Sequence, residues 1–384
     1  MNRAETDKKK RSSEELIQVF GSLVGTEELA EIRDCLDRQW IGMGPRTAEL
    51  ESSLAAHLGV EDLVLLNSGS NSLQMAVHLL DVPPGTGAEI ILPSFTWVAC
   101  AAAVVMCGHR PVFCDVDEAT MNIDPDSVVR AIGPKTAGIM AVHYAGLPAD
   151  MDRLLALGLP VIEDAAHAID SRLGSKACGT MGDLGIFSFG PIKNLTMGEG
   201  GAVVARKPEV LQRARDLRFC GVASSGFASA CKRNRWWEHE IIGVFPKMTP
   251  SDLCAAIGIA QFRKLPSIQE RRAAIWNRYQ QGLADINWID RPKEAQAGDR
   301  HSYFTYCVRI KNGRRDALAH ALMEQGIYTT LRFHPLHMNP VYGGEVSLPV
   351  SERLAETALN LPLHPRLSDA DVDRVIDCVR RFGC

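Results

Sequence analysis

What this sequence lacks narrows its function first. No apolar run approaches the roughly 20 residues that a helix needs to cross a bilayer. No sign of charge dominates, the net charge being -4 over 384 residues. Neither a membrane nor a nucleic acid is therefore expected as a partner. No secretory leader is expected either, because residues 1–13 are polar, carry Lys8-Lys9-Lys10-Arg11, and precede no apolar core. They read as a frayed, solvated tail. The 11 cysteines are odd in number and include no C-x-x-C pair, which argues against a disulfide framework and against a metal site of the zinc kind. Cys100, Cys107 and Cys114 lie in apolar surroundings and read as small core residues. A reducing, cytoplasmic setting is expected. Nor does G-x-G-x-x-G follow the first strand, which counts against a nicotinamide enzyme.

What is there fits a large globular chain. Apolar residues make up 46% and charged residues 23%, enough for a sizeable core and two domains. Short apolar runs at 63–66, 89–92, 111–114 and 138–142 alternate with helical patterns at 46–58, from Leu73 onward, 100–107 and 126–132. That alternation predicts an α/β fold with a mostly parallel sheet and helices on both faces. Residues 13–40 carry apolar positions at helical spacing (Leu16, Val19, Phe20, Leu29, Ile32, Leu36) up to the Gly42-Met43-Gly44-Pro45 break. Long amphipathic helices are expected at 252–265 and 268–283. Beyond about Arg291 a smaller α+β part is expected, with strands at 304–310 and 328–333 and helices at 315–325 and 370–382. The expected division is a tail over 1–13, a large domain over 14–255 and a small C-terminal domain over 256–384.

The chemistry centres on residues 184–204. Two apolar runs, 185–189 and 201–204, read as strands, and the glycine-rich turn between them holds one lysine, Lys193. Upstream, the apolar run 159–164 ends in Asp164. A lysine in a loop is usually a solvated charge, and an Asp after a strand is often a helix cap. Together they also form the pair that pyridoxal phosphate needs: an amine to condense with its aldehyde, and a carboxylate to keep its ring nitrogen protonated. The turn Asn67-Ser68-Gly69-Ser70-Asn71 feeds a helix and reads either as a plain cap or as a phosphate site. Trp97 follows a strand end and reads either as core or as an aromatic stacked on a ligand. His143 reads as a packing histidine. Residues 221–237, with Lys232, Arg233, Arg235, Trp236 and Trp237, read as a surface loop near the substrate.

The ordered run Val161-Ile162-Glu163-Asp164-Ala165-Ala166-His167, Gly182-Asp183, Phe187-Ser188-Phe189, Lys193-Asn194-Leu195 and Gly198-Glu199-Gly200-Gly201 resembles the DegT/DnrJ/EryC1/StrS sugar aminotransferases. The likeness extends from about Trp40 to the C-terminus. It implies a fold-type I enzyme with a seven-stranded, mainly parallel sheet and a smaller C-terminal domain. It implies that Lys193 and Asp164 are catalytic, and that Gly69, Ser70, Asn71 and Ser188 hold the phosphate of pyridoxal phosphate. Trp97 would stack on the ring and His167 would lie on its 3-hydroxyl side. The resemblance further implies a homodimer with shared active sites, the N-terminal region lying near the partner subunit. Residues 243–249 resemble the segment that crosses to the neighbouring site. Phe245 stands where the family has Asn, and Lys247 where it has Arg. Arg332, His334 and His337 resemble a sugar-side loop of C4 aminotransferases.

The reaction so implied takes an amino group from L-glutamate, carries it as pyridoxamine phosphate, and passes it to a nucleotide-linked keto sugar. The family suggests dTDP-4-keto-6-deoxy-D-glucose, giving a 4-amino-4,6-dideoxy sugar for an antibiotic or a surface polysaccharide. A C3-keto-sugar or keto-inositol aminotransferase is the near alternative, and a non-catalytic pyridoxal-phosphate-binding regulator the distant one. A related sugar dehydratase is disfavoured, because His replaces the lysine there.

Overall fold

The computed structural model describes residues 16–83, 86–222, 240–342 and 346–383. The 1–13 tail and nearly all of the 221–237 segment lie outside them. The elements alternate as the apolar pattern requires. α1 (Thr26–Asp37) and α2 (Pro45–Leu58) precede β1 (Val64–Leu66), α3 (Gly69–Leu79), β2 (Glu89–Pro93), α4 (Val98–Met106) and β3 (Arg110–Cys114). Then follow α5 (Pro125–Ala131), β4 (Thr136–Val142), α6 (Met151–Leu155) and β5 (Val161–Asp164). A small hairpin, β6 (Arg172–Leu173) and β7 (Lys176–Ala177), leads to β8 (Leu184–Ser188), β9 (Gly201–Ala205) and α7 (Pro208–Leu217).

Seven of these strands form one sheet in the order β1-β9-β8-β5-β4-β2-β3. β9 runs antiparallel to both its neighbours, and the other adjacent pairs are parallel. Both faces are covered. Leu50, Leu54, Val128, Leu154 and Ile259 pack on one side, and Leu73, Val77, Cys100, Val104 and Leu211 on the other. This is why the strands read as near-continuous apolar runs rather than alternating ones.

α8 (Asp252–Gly282) is a single helix through Pro266, where the sequence suggests two. An interior proline costs about 3 kcal/mol. Packing on both sides of it carries the helix through: Ala255, Ile259 and Leu265 join the large core, while Ile275, Trp276, Tyr279 and Leu283 join a second one. A boundary at 255/256 thus falls inside α8. The second core is built on β10 (Ile289–Asp290), β11 (Tyr306–Ile310), α9 (Arg315–Glu324), α10 (Pro349–Thr357), β12 (Ala358–Leu361) and α11 (Asp369–Phe382). Its three strands pair in the order β10-β11-β12. α9 ends before Gly326, whose φ is +71°, as a left-handed stop requires.

Two expected elements differ. Residues 16–25 are not helical. Gly25 instead caps α1, its amide donating to Glu28 Oε2 over 2.7 Å. The preceding stretch runs as a strap in which Ile17 exchanges backbone hydrogen bonds with Gly326 and Tyr328. On α1 itself, Leu29 and Leu36 are exposed while Glu28 and Cys35 are buried. Residues 328–333 do not form a strand either, because the Arg332 amide donates to the Asn360 side chain instead of to a ladder partner.

Candidate active site

The carboxyl ends of the parallel strands converge, as they do where open α/β sheets bind ligands. Asp164 is the last residue of β5 and Ser188 the last of β8. Gly69 opens α3 just after β1, and Trp97 caps α4 just after β2. Together with Lys193, His167 and Arg332 they line one cavity of about 320 Å³. A larger groove of about 880 Å³, near Asp62, Asp183 and Arg206, contains none of these groups. Chemistry, not size, selects the site.

Lys193 sits in the β8–β9 loop, its amide donating to the Gly190 carbonyl at 3.1 Å. Its amine opens on the cavity, 4.9 Å from the centre of the Phe304 ring. Burial pushes this amine down to about 8, against the pull of Asp164 and with a further push from Arg332. Asp164 is buried and held from two sides. The Ala166 amide donates to Oδ1 at 3.0 Å and the Cys100 thiol to Oδ2 at 3.2 Å. Cys100 also lies 3.3 Å from the Thr96 hydroxyl. The next residue upstream, Glu163, is structural. Its carboxylate takes the amides of Gly179, Met181 and Gly182 and the Nε2 of His143. The Ala149 amide donates to His143 Nδ1, so that histidine packs loops, as its sequence setting suggests.

The α3 N-terminus faces Ser188. A Cβ on Gly69 would fall 2.6 Å from the Ser188 Oγ and Cβ, so only glycine lets backbone and hydroxyl approach this closely. Ser68 caps the helix by accepting from the Asn71 amide. Gly69, Ser70 and Ser188 lie on the cavity wall, but the Asn71 side chain turns away and donates to Asn67 Oδ1 at 2.7 Å. Free amides, a positive helix end and a hydroxyl suit a phosphate.

His167 stacks on Phe304, their ring centres 4.0 Å apart and 11° from parallel. Its Nδ1 is buried with no partner among the described residues. Burial, with the charges of Lys193 and Arg332 beside it, holds its pKa well below the ordinary histidine value. Trp97 is 55% exposed on the cavity wall, 5.7 Å from the Phe333 ring. The loop residues of the C-terminal part divide. Arg332 lines the cavity, whereas His337 is buried behind it against Ser94 at 2.6 Å and Glu352 at 3.4 Å, and His334 is exposed off the wall. Lys247 is exposed over Phe219 and does not line this protomer's cavity. Phe245 packs on His78, ring centres 4.7 Å apart.

Several residues here carry no sequence signal of their own. Cys100 reads as core, and its only hint is a position one turn after Trp97 on the same helix. Phe20, Phe304 and Phe333 arrive from distant segments. Asn194 donates to the Ser302 carbonyl at 2.6 Å and to Gln269 Oε1 at 3.0 Å. The Ser302 hydroxyl in turn donates to the His167 carbonyl. Asn194 therefore ties the lysine loop to the second core and to the Asp164–His167 segment.

The donor set fits a flat, phosphorylated pyridine: an amine, a buried carboxylate, an unpartnered imidazole nitrogen, and a phosphate cradle that a Cβ would fill. Fold and site together define a class, the pyridoxal-phosphate-dependent transferases. Comparison with known proteins narrows this further. The chain belongs to the DegT/DnrJ/EryC1/StrS aminotransferase family, whose signature matches residues 23–380, and pyridoxal phosphate is its cofactor.

It is 40% identical, over 94% of its length and 95% of the relative's, to a dTDP-4-dehydro-2,3,6-trideoxy-D-glucose 4-aminotransferase of Saccharopolyspora spinosa. Among solved structures it is similar to the aminotransferase TlmJ of Streptoalloteichus hindustanus. That match has a TM-score of 0.90 at 41% identity, covering 96% of this chain and 98% of that one. It is also similar to the pyridoxal-phosphate form of a Streptococcus pneumoniae protein described as a putative sugar aminotransferase, Spr1654. Here the TM-score is 0.88 at 27% identity, covering 96% and 98% of the two chains.

Proposed function

We propose that this enzyme moves an amino group from L-glutamate to C4 of a dTDP-linked 4-keto-6-deoxyhexose, giving the 4-amino sugar used in deoxyamino-sugar assembly. The observation that carries this reading is the shared cavity of Lys193 and Asp164, in a chain closely similar to an enzyme named for that chemistry. When bound, pyridoxal phosphate supplies an aldehyde that carries nitrogen and an electron-poor ring that accepts charge. Lys193 Nζ, partly neutral near pH 8 because of its burial, would hold that aldehyde and is the group placed to move the proton of the reacting carbon. Asp164, fixed by Cys100 and Ala166, would hold the ring nitrogen in its protonated form. The Gly69 and Ser70 amides and the Ser188 hydroxyl hold the phosphate. His167 Nδ1, unpartnered among the described residues, would be left for the ring hydroxyl, and Trp97 on the cavity wall would stack on the ring.

The reading includes a cytoplasmic homodimer. It is supported by the apolar side chains that the protomer exposes, including Leu29, Leu36, Trp40, Ile41, Ile242 and Val244. Lys247, exposed in the crossing segment, is then available to a partner's phosphate as a point charge.

The test is incubation with L-glutamate and a panel of dTDP-4-keto, dTDP-3-keto and keto-inositol acceptors, with products read by mass. Amination of the 4-keto sugar by the parent, and none by Lys193→Ala, is expected. Preference for a 3-keto sugar or a keto-inositol would overturn the acceptor assignment, and turnover in Lys193→Ala would overturn the role of the lysine.

A further inference from the structure

His167 lines the cofactor cavity, yet no hydrogen bond from the described residues holds its ring. Two other buried histidines, His143 and His337, are fixed through both nitrogens. An imidazole turns readily about its Cβ–Cγ bond, a torsion with broad, roughly two-fold wells. Something other than a hydrogen bond therefore sets the plane of His167. Its closest flat neighbour is Phe304, with ring centres 4.0 Å apart and planes 11° from parallel. Phe333 is also near parallel, at 6.1 Å and 14°, and Tyr144 stands edge-on at 6.4 Å.

Phe304 is built as a fixed platform. It is fully buried. Its amide donates to the Ala145 carbonyl at 2.9 Å, and its own carbonyl accepts from Arg272 Nη1 at 3.2 Å. Phe20 stacks on it, ring centres 5.8 Å apart and 20° from parallel. Two residues earlier, the Ser302 hydroxyl donates to the His167 carbonyl. One short segment thus holds both the backbone and the ring of that histidine. A stacked aromatic pair contributes beyond the area it buries, and a side chain that meets a ligand within a narrow angle needs such support behind it.

We propose that Phe304 is a positioning residue: its face sets the plane of the His167 imidazole and so aims it at the ring hydroxyl of pyridoxal phosphate. This rests on the reading of the cavity as the pyridoxal-phosphate site with His167 on the hydroxyl side. The same phenyl ring lies 4.9 Å from the Lys193 amine, so an effect carried by His167 has to be separated from one carried by the lysine.

The test titrates apoprotein with pyridoxal phosphate and with its 3-deoxy analogue, which has the same aldehyde and phosphate but no ring hydroxyl. Phe304→Leu keeps an apolar side chain without a flat face. It should weaken pyridoxal phosphate roughly threefold to tenfold, and the analogue by less than about twofold. Phe304→Tyr, which keeps the face, should bind both within about twofold of the parent. In a His167→Ala background the Phe304→Leu loss should vanish, as a double-mutant cycle of coupled residues requires. Equal losses for the two ligands, or an undiminished loss without His167, would overturn the proposal and assign Phe304 to the lysine or to packing alone. A parent that binds both ligands equally would contradict the hydroxyl role of His167, a failure of the underlying reading. Non-additive losses in the cycle would still uphold the stack, and additive ones would overturn it. If Phe304→Leu fails to fold, Phe304→Met, flexible and apolar, decides by the same criteria.

Discussion

The Cys100 thiol, in the first turn of α4, donates to Asp164 Oδ2 at the end of β5 over 3.2 Å. A thiol is a weak donor, so it orients the carboxylate through Oδ2 while competing little with a protonated ring nitrogen for the same group.

Cys100→Ala should therefore weaken cofactor binding roughly fivefold, the equivalent of one net hydrogen bond of about 1 kcal/mol. Cys100→Ser, which retains a donor, should recover part of the loss. Fluorescence titration of apoprotein with pyridoxal phosphate measures both. An unchanged dissociation constant in the alanine variant would show that the thiol does not orient the acid.

The depressed Lys193 amine makes a pH prediction. Burial disfavours the cation, so the neutral, nucleophilic form gains population through about pH 8 rather than through the ordinary lysine range. At pH 7.5 roughly a quarter of the amine is neutral, against about one in a thousand for a free lysine. The rate at which apoprotein takes up pyridoxal phosphate covalently should rise from pH 6.5 and level off above about pH 8.5. A rate still climbing steeply at pH 10 would contradict the buried environment.

Gly69→Ala places a methyl 2.6 Å from the Ser188 hydroxyl. One side must shift, at a cost of about 1–3 kcal/mol. The shift falls on the phosphate cradle itself, so cofactor affinity should drop by tenfold or more. Ser70→Ala adds no such clash and is the control. Equilibrium dialysis with pyridoxal phosphate separates the two.

Val244 is fully exposed between the exposed Ile242 and Lys247. If this segment packs on a second subunit, Val244→Glu leaves a charge in an apolar contact. The dimer should then dissociate at concentrations at least about tenfold higher than the parent's. Sedimentation velocity over a dilution series checks this, and an unaltered profile would place the contact elsewhere.

The sequence made the sheet and the lysine–aspartate pair readable because both depend on local pattern. Each strand buried on two faces is a short apolar run, and Asp164, Ser188, Gly69 and Trp97 all fall just where such a run stops. Other features depend on segments meeting across the fold. Pro266 reads as a break, yet α8 runs through it because two cores grip its halves. His337 reads like Arg332 in the same loop, but Ser94 holds the histidine behind the wall while the arginine lies over Phe20 on the cavity side. Glycines at 21 and 25 interrupt a helical pattern that the apolar spacing alone suggests, and the resulting strap finds its partners at Gly326, Tyr328 and Phe304. Cys100 looks like any small core residue until Asp164 is seen beside it.

That strap has a consequence for synthesis. Phe20 and Ile17 are among the earliest described residues to leave the ribosome, yet the residues they rest on, Phe304, Gly326, Tyr328 and Arg332, are made near the end. A nascent or prematurely terminated polypeptide can assemble the parallel sheet, but the cavity wall that carries Arg332 stays unfinished until the last tenth or so of translation begins.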